Sequence, residues 1–150
     1  VDIDLYHERL TNQYRLMFCL FLITAIPMYV LSEWGIVMLY GEQFRESGIL
    51  LSLFSFRLIF AFMGVAKGSF ITNEGLFKFS LITSILGAVV SIAMNAWLIP
   101  IIGARGAIWA SIASFLVSIF IVDLFTPSTR INFRLMMHGI STFWKLRSVK

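Results

Sequence analysis

The sequence is short of charge where it matters most. No charged residue occurs from Phe79 to Pro100, and none from Gly106 to Val122. Only 13% of the 150 residues are charged, against roughly a quarter in soluble domains. There is one cysteine, Cys19, so no disulfide framework can form. The two histidines, His7 and His138, lie far apart, and no run of His, Cys, Asp or Glu has metal-ligand spacing. No glycine-rich phosphate loop is present. An active site needs convergent polar groups, and none is apparent, so the sequence does not read as an enzyme and calls for no cofactor.

What is abundant is apolar surface. Hydrophobic residues make up 59% of the chain, and its mean hydropathy is +0.87. A chain this short cannot bury that much apolar surface in a soluble core. The two uncharged runs each approach the roughly 20 residues that cross a bilayer core of about 30 Å. They are separated by Pro100, Gly103 and Gly106, which suits a helical hairpin. Two further runs, 16–40 and 49–71, precede them. The expected architecture is all-α: a membrane bundle of four spans, about 16–40, 49–71, 79–100 and 106–125, plus a C-terminal amphipathic helix.

The flanks differ. Residues 1–15 are polar, of mixed charge, and read as a solvated helix; such a start suits the end of a longer polytopic protein. Pro27 removes one internal hydrogen bond from the first span and predicts a kink. Residues 126–150 form a basic tail. Thr126 and Pro127 fit an N-cap and first helical position. Phe133, Met136, Met137, Ile140, Phe143 and Trp144 fall on one helical face, the pattern of a helix lying in a membrane interface.

Basic residues set the expected orientation. If residues 1–15, 67–78 and 126–150 face the cytoplasm, they hold nine of the twelve Lys and Arg residues. Only Arg45 and Arg105 then face outward, and Arg57 lies within a span. That asymmetry favours both ends being cytoplasmic. Lys67 and Lys78 read as markers of the cytoplasmic loop, touching lipid phosphates. Asp123 reads as an interfacial carboxylate near Arg130.

Three polar residues inside the spans are the candidate substrate-binding residues. At 1.5 Å per residue, Arg57 lies roughly 12 Å, Glu33 roughly 10 Å and Asn95 roughly 8 Å below the outer ends of their spans. Charges at such depth usually face a cavity or a partner. Together the three could line one outward cavity for an anion such as a diphosphate, or Arg57 and Glu33 could pair and lock two helices. Ser80, Ser84, Ala88, Ser91 and Asn95 form a small, polar stripe on the third span. Ala107, Ala110, Ser111, Ser114 and Ser118 repeat it on the fourth. Gly64 and Gly68 form a G-x-x-x-G pair on the second. Such faces pack helices closely; the alternative is the lining of a transport path.

The run MNAWLIPIIGARGAIWASIASF resembles a pattern found near the end of polysaccharide flippases. Its members here are Asn95, Leu98, Ile99, Pro100, Gly103, Gly106, Ala107, Ala110 and Ser111. Gly41, Phe44 and Ser47 resemble the connection between two earlier spans of that family. These flippases belong to the multidrug/oligosaccharidyl-lipid/polysaccharide exporter superfamily. The resemblance implies a C-terminal part of a bacterial inner-membrane flippase that moves an undecaprenyl-diphosphate-linked O-antigen or exopolysaccharide unit. It implies as partners the lipid-linked oligosaccharide, membrane lipids, an N-terminal bundle of the same protein, and the polysaccharide polymerase and chain-length machinery. Nothing points to nucleic acid. Two other readings stay open: a cation-coupled exporter of the multidrug type, which would use acidic cavity residues, and a scaffold module that transports nothing.

Overall fold

The computed structural model describes residues 3–127 and 129–145, and every element in it is helical. α1 runs from Ile3 to Tyr40, unbroken through Pro27. A single 3₁₀ turn, Glu42–Phe44, leads into α2 (Arg45–Ser55) and α3 (Leu58–Asn73). α4 spans Phe77–Ile102 and α5 spans Ala104–Phe115. A π-helical stretch, Leu116–Ile121, joins α5 to the short α6 (Val122–Phe125). α7 (Arg130–Ser141) and a last 3₁₀ turn, Phe143–Lys145, complete the described chain.

Four of these stretches are long and apolar enough to cross a membrane: Ile3–Tyr40, Glu42–Asn73, Phe77–Ile102 and Ala104–Phe125. Their large side chains point outward. Ile23, Val30, Leu81, Val89 and Ile92 are each more than half exposed. Water would not tolerate so broad an apolar surface, whereas lipid tails match it. The chain is therefore a membrane protein with an all-α bundle. Trp34, Tyr40 and Trp97 are exposed toward one end of the bundle and Trp144 at the other, where interfacial aromatics settle.

The bundle is two hairpins. In the first, α1 packs along α2 and α3. In the second, α4 packs along α5. Gly103 alone joins α4 to α5, at a φ of 61° that favours glycine. Three residues on, Gly106 lies so close to α4 that a Cβ there would sit 2.6 Å from the Leu98 carbonyl oxygen. The hairpin closes because neither position carries a side chain. Between the hairpins, α3 and α4 touch little and leave a groove.

Several boundaries differ from the sequence reading. Residues 3–15 are the start of α1 rather than a separate solvated segment, and Leu10, Thr11, Tyr14 and Arg15 are buried. At 1.5 Å per residue α1 is about 57 Å long, well beyond a bilayer core, so its first turns stand clear of the spans and can receive the tail. The second span is interrupted: the Phe56 and Arg57 N–H groups donate to Leu53 and Phe54 carbonyls, three residues back rather than four. Thr126 does not cap the tail helix. Its N–H and hydroxyl both turn back to the Val122 carbonyl and close α6, and the helix begins at Arg130 after Thr129.

The core lies where α1, α3, the π stretch and α7 converge. Tyr14, Phe60, Met63, Ala66, Ile119 and Met136 form it, with Leu10, Phe70 and Ile71 as a second cluster beside it. Met136 is fully buried, so the apolar face of α7 rests on protein. Met137 and Trp144 remain exposed, available to an interface. The tail is amphipathic as expected, but its apolar face is shared between α1 and the surroundings.

Candidate functional site

Lys67 sits on α3 in the sequence GVAKGS, with Gly64 and Gly68 on either side. Its side chain crosses to the fourth span. Its Nζ donates to Asp123 Oδ1 at 2.6 Å, and both side chains are almost wholly buried. The ammonium also donates to the carbonyls of Ser118 at 2.9 Å and Ile119 at 3.3 Å. The ring of Phe79 lies 5.5 Å from it, at cation–π distance. A buried ammonium is tolerated only when paired and hydrogen-bonded, and here both conditions hold.

Asp123 is shared. Its second oxygen accepts from Asn132 Nδ2 at 2.9 Å, and Asn132 Oδ1 accepts from the Tyr14 hydroxyl at 2.6 Å. Tyr14, Asn132 and Asp123 are each 0% exposed. The chain of contacts therefore links α1, α7, the fourth span and α3 through one buried carboxylate. An amide stands in its middle, so the path is a structural tie and not a proton wire. The tail is further held by Arg15, which donates to Thr142 Oγ1 and to the Lys145 carbonyl. Gly139 lets α7 come this close: a Cβ there would lie 2.6 Å from Tyr14 Cβ.

Two expectations are corrected here. Asp123 is not an interfacial carboxylate beside Arg130; Arg130 Nε instead donates to the Leu124 carbonyl. Lys67 does not reach lipid phosphates; with Asp123 neutralising it, it also leaves the count of free basic residues at that end. Asn132 and Tyr14 were not singled out from sequence. The signal available was a pair of opposite charges, Lys67 and Asp123, near the same end of two adjacent spans.

The groove between the hairpins holds about 480 Å³. Lys67, Ser80, Ser84, Ser91, Ser114 and Ser118 are among its polar lining. Ser80, Ser84, Ala88 and Ser91 of the third-span stripe and Ser114 and Ser118 of the fourth share this lining, and the two helices pack closely at Gly87, whose carbonyl accepts from the Ser114 hydroxyl. The other wall includes Phe115. The Arg57 guanidinium carbon lies 4.8 Å from the Phe115 ring centroid and 5.0 Å from that of Phe54. Its Nε is buried and has no hydrogen-bond partner among the described residues.

The three candidate cavity residues do not form a hydrogen-bonded cluster. Glu33 pairs with Arg45 at 3.7 Å, both half-exposed, because the short Gly41–Phe44 turn folds Arg45 back beside it. The alternative of an Arg57–Glu33 lock is therefore not what the fold uses. Asn95 Nδ2 donates to the Ser91 carbonyl of its own helix at 2.8 Å, the bond a short amide makes one turn back. Arg57 alone stands next to the groove, behind Phe115. No family model, curated protein or solved structure matches the chain.

Proposed function

We propose that this chain is a C-terminal part of a flippase that carries an undecaprenyl-diphosphate-linked oligosaccharide across the bacterial inner membrane, with both ends of this segment in the cytoplasm. The observation that carries the reading is a serine-lined groove between apolar spans, with the Lys67 ammonium in its wall and the Arg57 guanidinium behind Phe115. Close packing accounts for hydroxyls such as that of Ser114 but not for a guanidinium whose Nε lacks a hydrogen-bond partner among the described residues beside a gap between hairpins; polar groups inside a membrane serve pathways as well as packing. Arg57 suits a diphosphate, since a guanidinium offers a fork of donors to phosphate oxygens. The resemblance of the Asn95–Ser111 string to flippase ends, and the bias of basic residues, agree with this reading. Gly103 and Gly106 of that string also have a plain structural role in the hairpin.

A scaffold without transport is the second reading, favoured by the Lys67–Asp123 pair, which locks α3 to the fourth span. A multidrug-type exporter fits less well. Its expected acid, Glu33, is half-exposed and paired with Arg45. The test uses the whole membrane protein in its host. Arg57→Ala should abolish surface polysaccharide while membrane insertion stays normal. Full polysaccharide in that variant would remove Arg57 from the pathway and leave the scaffold reading ahead.

A further inference from the structure

The fourth span changes its helical winding at one place. The Val122 N–H donates to the Val117 carbonyl, five residues back instead of four. In an α-helix that N–H would have gone to Ser118. The wide turn therefore takes from the Ser118 carbonyl its ordinary partner, and the Lys67 ammonium occupies that oxygen at 2.9 Å. The Ile119 carbonyl, next in the turn, is within 3.3 Å of the same nitrogen. An unpartnered carbonyl is disfavoured in a membrane interior, so a wide turn in this setting needs an outside donor. Lys67 is that donor.

We infer that Lys67 holds Leu116–Ile121 in the π conformation, and that docking of α7 on Asp123 holds Lys67 in turn, so the tail sets the register of the groove wall. Three observations join in this. Asp123 Oδ1 fixes the ammonium under the turn. Asn132 from α7 fixes the other oxygen of Asp123, and Tyr14 fixes Asn132. Ser118, whose carbonyl takes the ammonium, also lines the groove and packs on Gly87 of α4, where an added Cβ would meet Ser118 Cβ at 3.2 Å.

The wide turn has two arrangements available. With Lys67 in place it stays wide. Without it, Val122 can return to the Ser118 carbonyl, and the extra residue in the turn is lost. One residue of an α-helix corresponds to about 100° of rotation. The α5 side cannot turn, because Ser114 is bonded to the Gly87 carbonyl and Gly106 is pressed against Leu98. The rotation therefore falls on Val122–Phe125 and carries Asp123 out of line with Asn132. Single π turns inside α-helices are frequent at functional sites. Here the turn connects the C-terminal tail helix to a groove between the spans, and the inference holds whether the groove carries a substrate or not.

Nitroxide scanning of the full chain in lipid bilayers tests this. Cys19 is first replaced by Ala, and single labels are then placed through residues 107–125. Oxygen accessibility should follow a helical period through 107–115, break across 116–121, and resume out of phase. In Lys67→Met the phase before the break should be unchanged, which reports an intact fold. The phase after it should move by about 100° into line with the first half. A break that persists in Lys67→Met would overturn the assignment of Lys67 as the group that holds the turn. If Lys67→Met does not accumulate, Lys67→Met/Asp123→Leu, which strands no charge, reads the same shift; Asn132→Leu, measured in either case, leaves both charges in place and removes the tail's grip. A partial phase shift there supports the tie to α7, and an unchanged phase overturns it.

Discussion

Removing one member of the Lys67–Asp123 pair should cost far more than removing both. Asp123→Leu leaves an ammonium, 4% exposed as a residue, facing two carbonyls and the Phe79 ring with no counter-charge. Lys67→Met leaves a carboxylate, fully buried in the native fold, without its counter-charge. Breaking a buried pair from either side costs about 3–5 kcal/mol, because the surviving charge keeps its desolvation penalty. Independent effects would sum to about 6–10 kcal/mol in Lys67→Met/Asp123→Leu. The double variant, however, strands no charge. It loses hydrogen bonds to the Ser118 and Ile119 carbonyls and to Asn132, each worth roughly 0.5–1.5 kcal/mol. The expected cost is therefore about 1.5–4.5 kcal/mol, and the coupling energy at least about 1.5 kcal/mol. Reversible unfolding in bicelles, with all four members of the cycle measured, gives these values. Strict additivity, or single variants each under about 1 kcal/mol, would show that the pair is not energetically joined and would refute the reasoning.

Other residues give sharper local tests. Tyr14→Phe should destabilise by about 1–3 kcal/mol in the same assay, because it strands the buried Asn132 carbonyl oxygen without changing the ring's packing. Gly139→Val should lift α7 off α1, since its Cβ would meet Tyr14 Cβ at 2.6 Å; trypsin should then cut at Arg130 or Arg134 at least tenfold faster, and an unchanged rate would mean that α7 is not seated on Tyr14. Gly106→Ala should lower stability by about 1–3 kcal/mol, as its methyl meets the Leu98 carbonyl, which is backbone and cannot swing aside. A wild-type melting temperature for Gly106→Ala would place the hairpin's close contact elsewhere.

The membrane architecture was legible because it depends on runs, and runs are one-dimensional. Phe79–Pro100 and Gly106–Val122 need no partner to declare their length or their lack of charge. Gly103 announced a turn for the same reason: its φ of 61° is a local demand. The polar stripes of the third and fourth spans were also visible as spacing, and four residues of the first and two of the second line the groove. Span ends were less secure. Thr126 has the chemistry of a cap at either side of a break, and only the path of the chain makes it close α6 rather than open α7.

Pairing was decided in three dimensions. Glu33, Asn95 and Arg57 lie at similar depths on paper, yet depth says nothing of azimuth around each helix. Arg45 captures the first, the Ser91 carbonyl captures the second, and two aromatic rings hold the third. Lys67 and Asp123 are 56 residues apart, and Tyr14 is 118 from Asn132. No local pattern carries contacts of that range. By itself the sequence determined that the chain is helical and how many spans it can form, because runs of apolar residues and backbone conformation act locally. Only the tertiary structure decided which charges meet, because a buried ion needs its counter-ion within about 4 Å, and packing alone sets that distance.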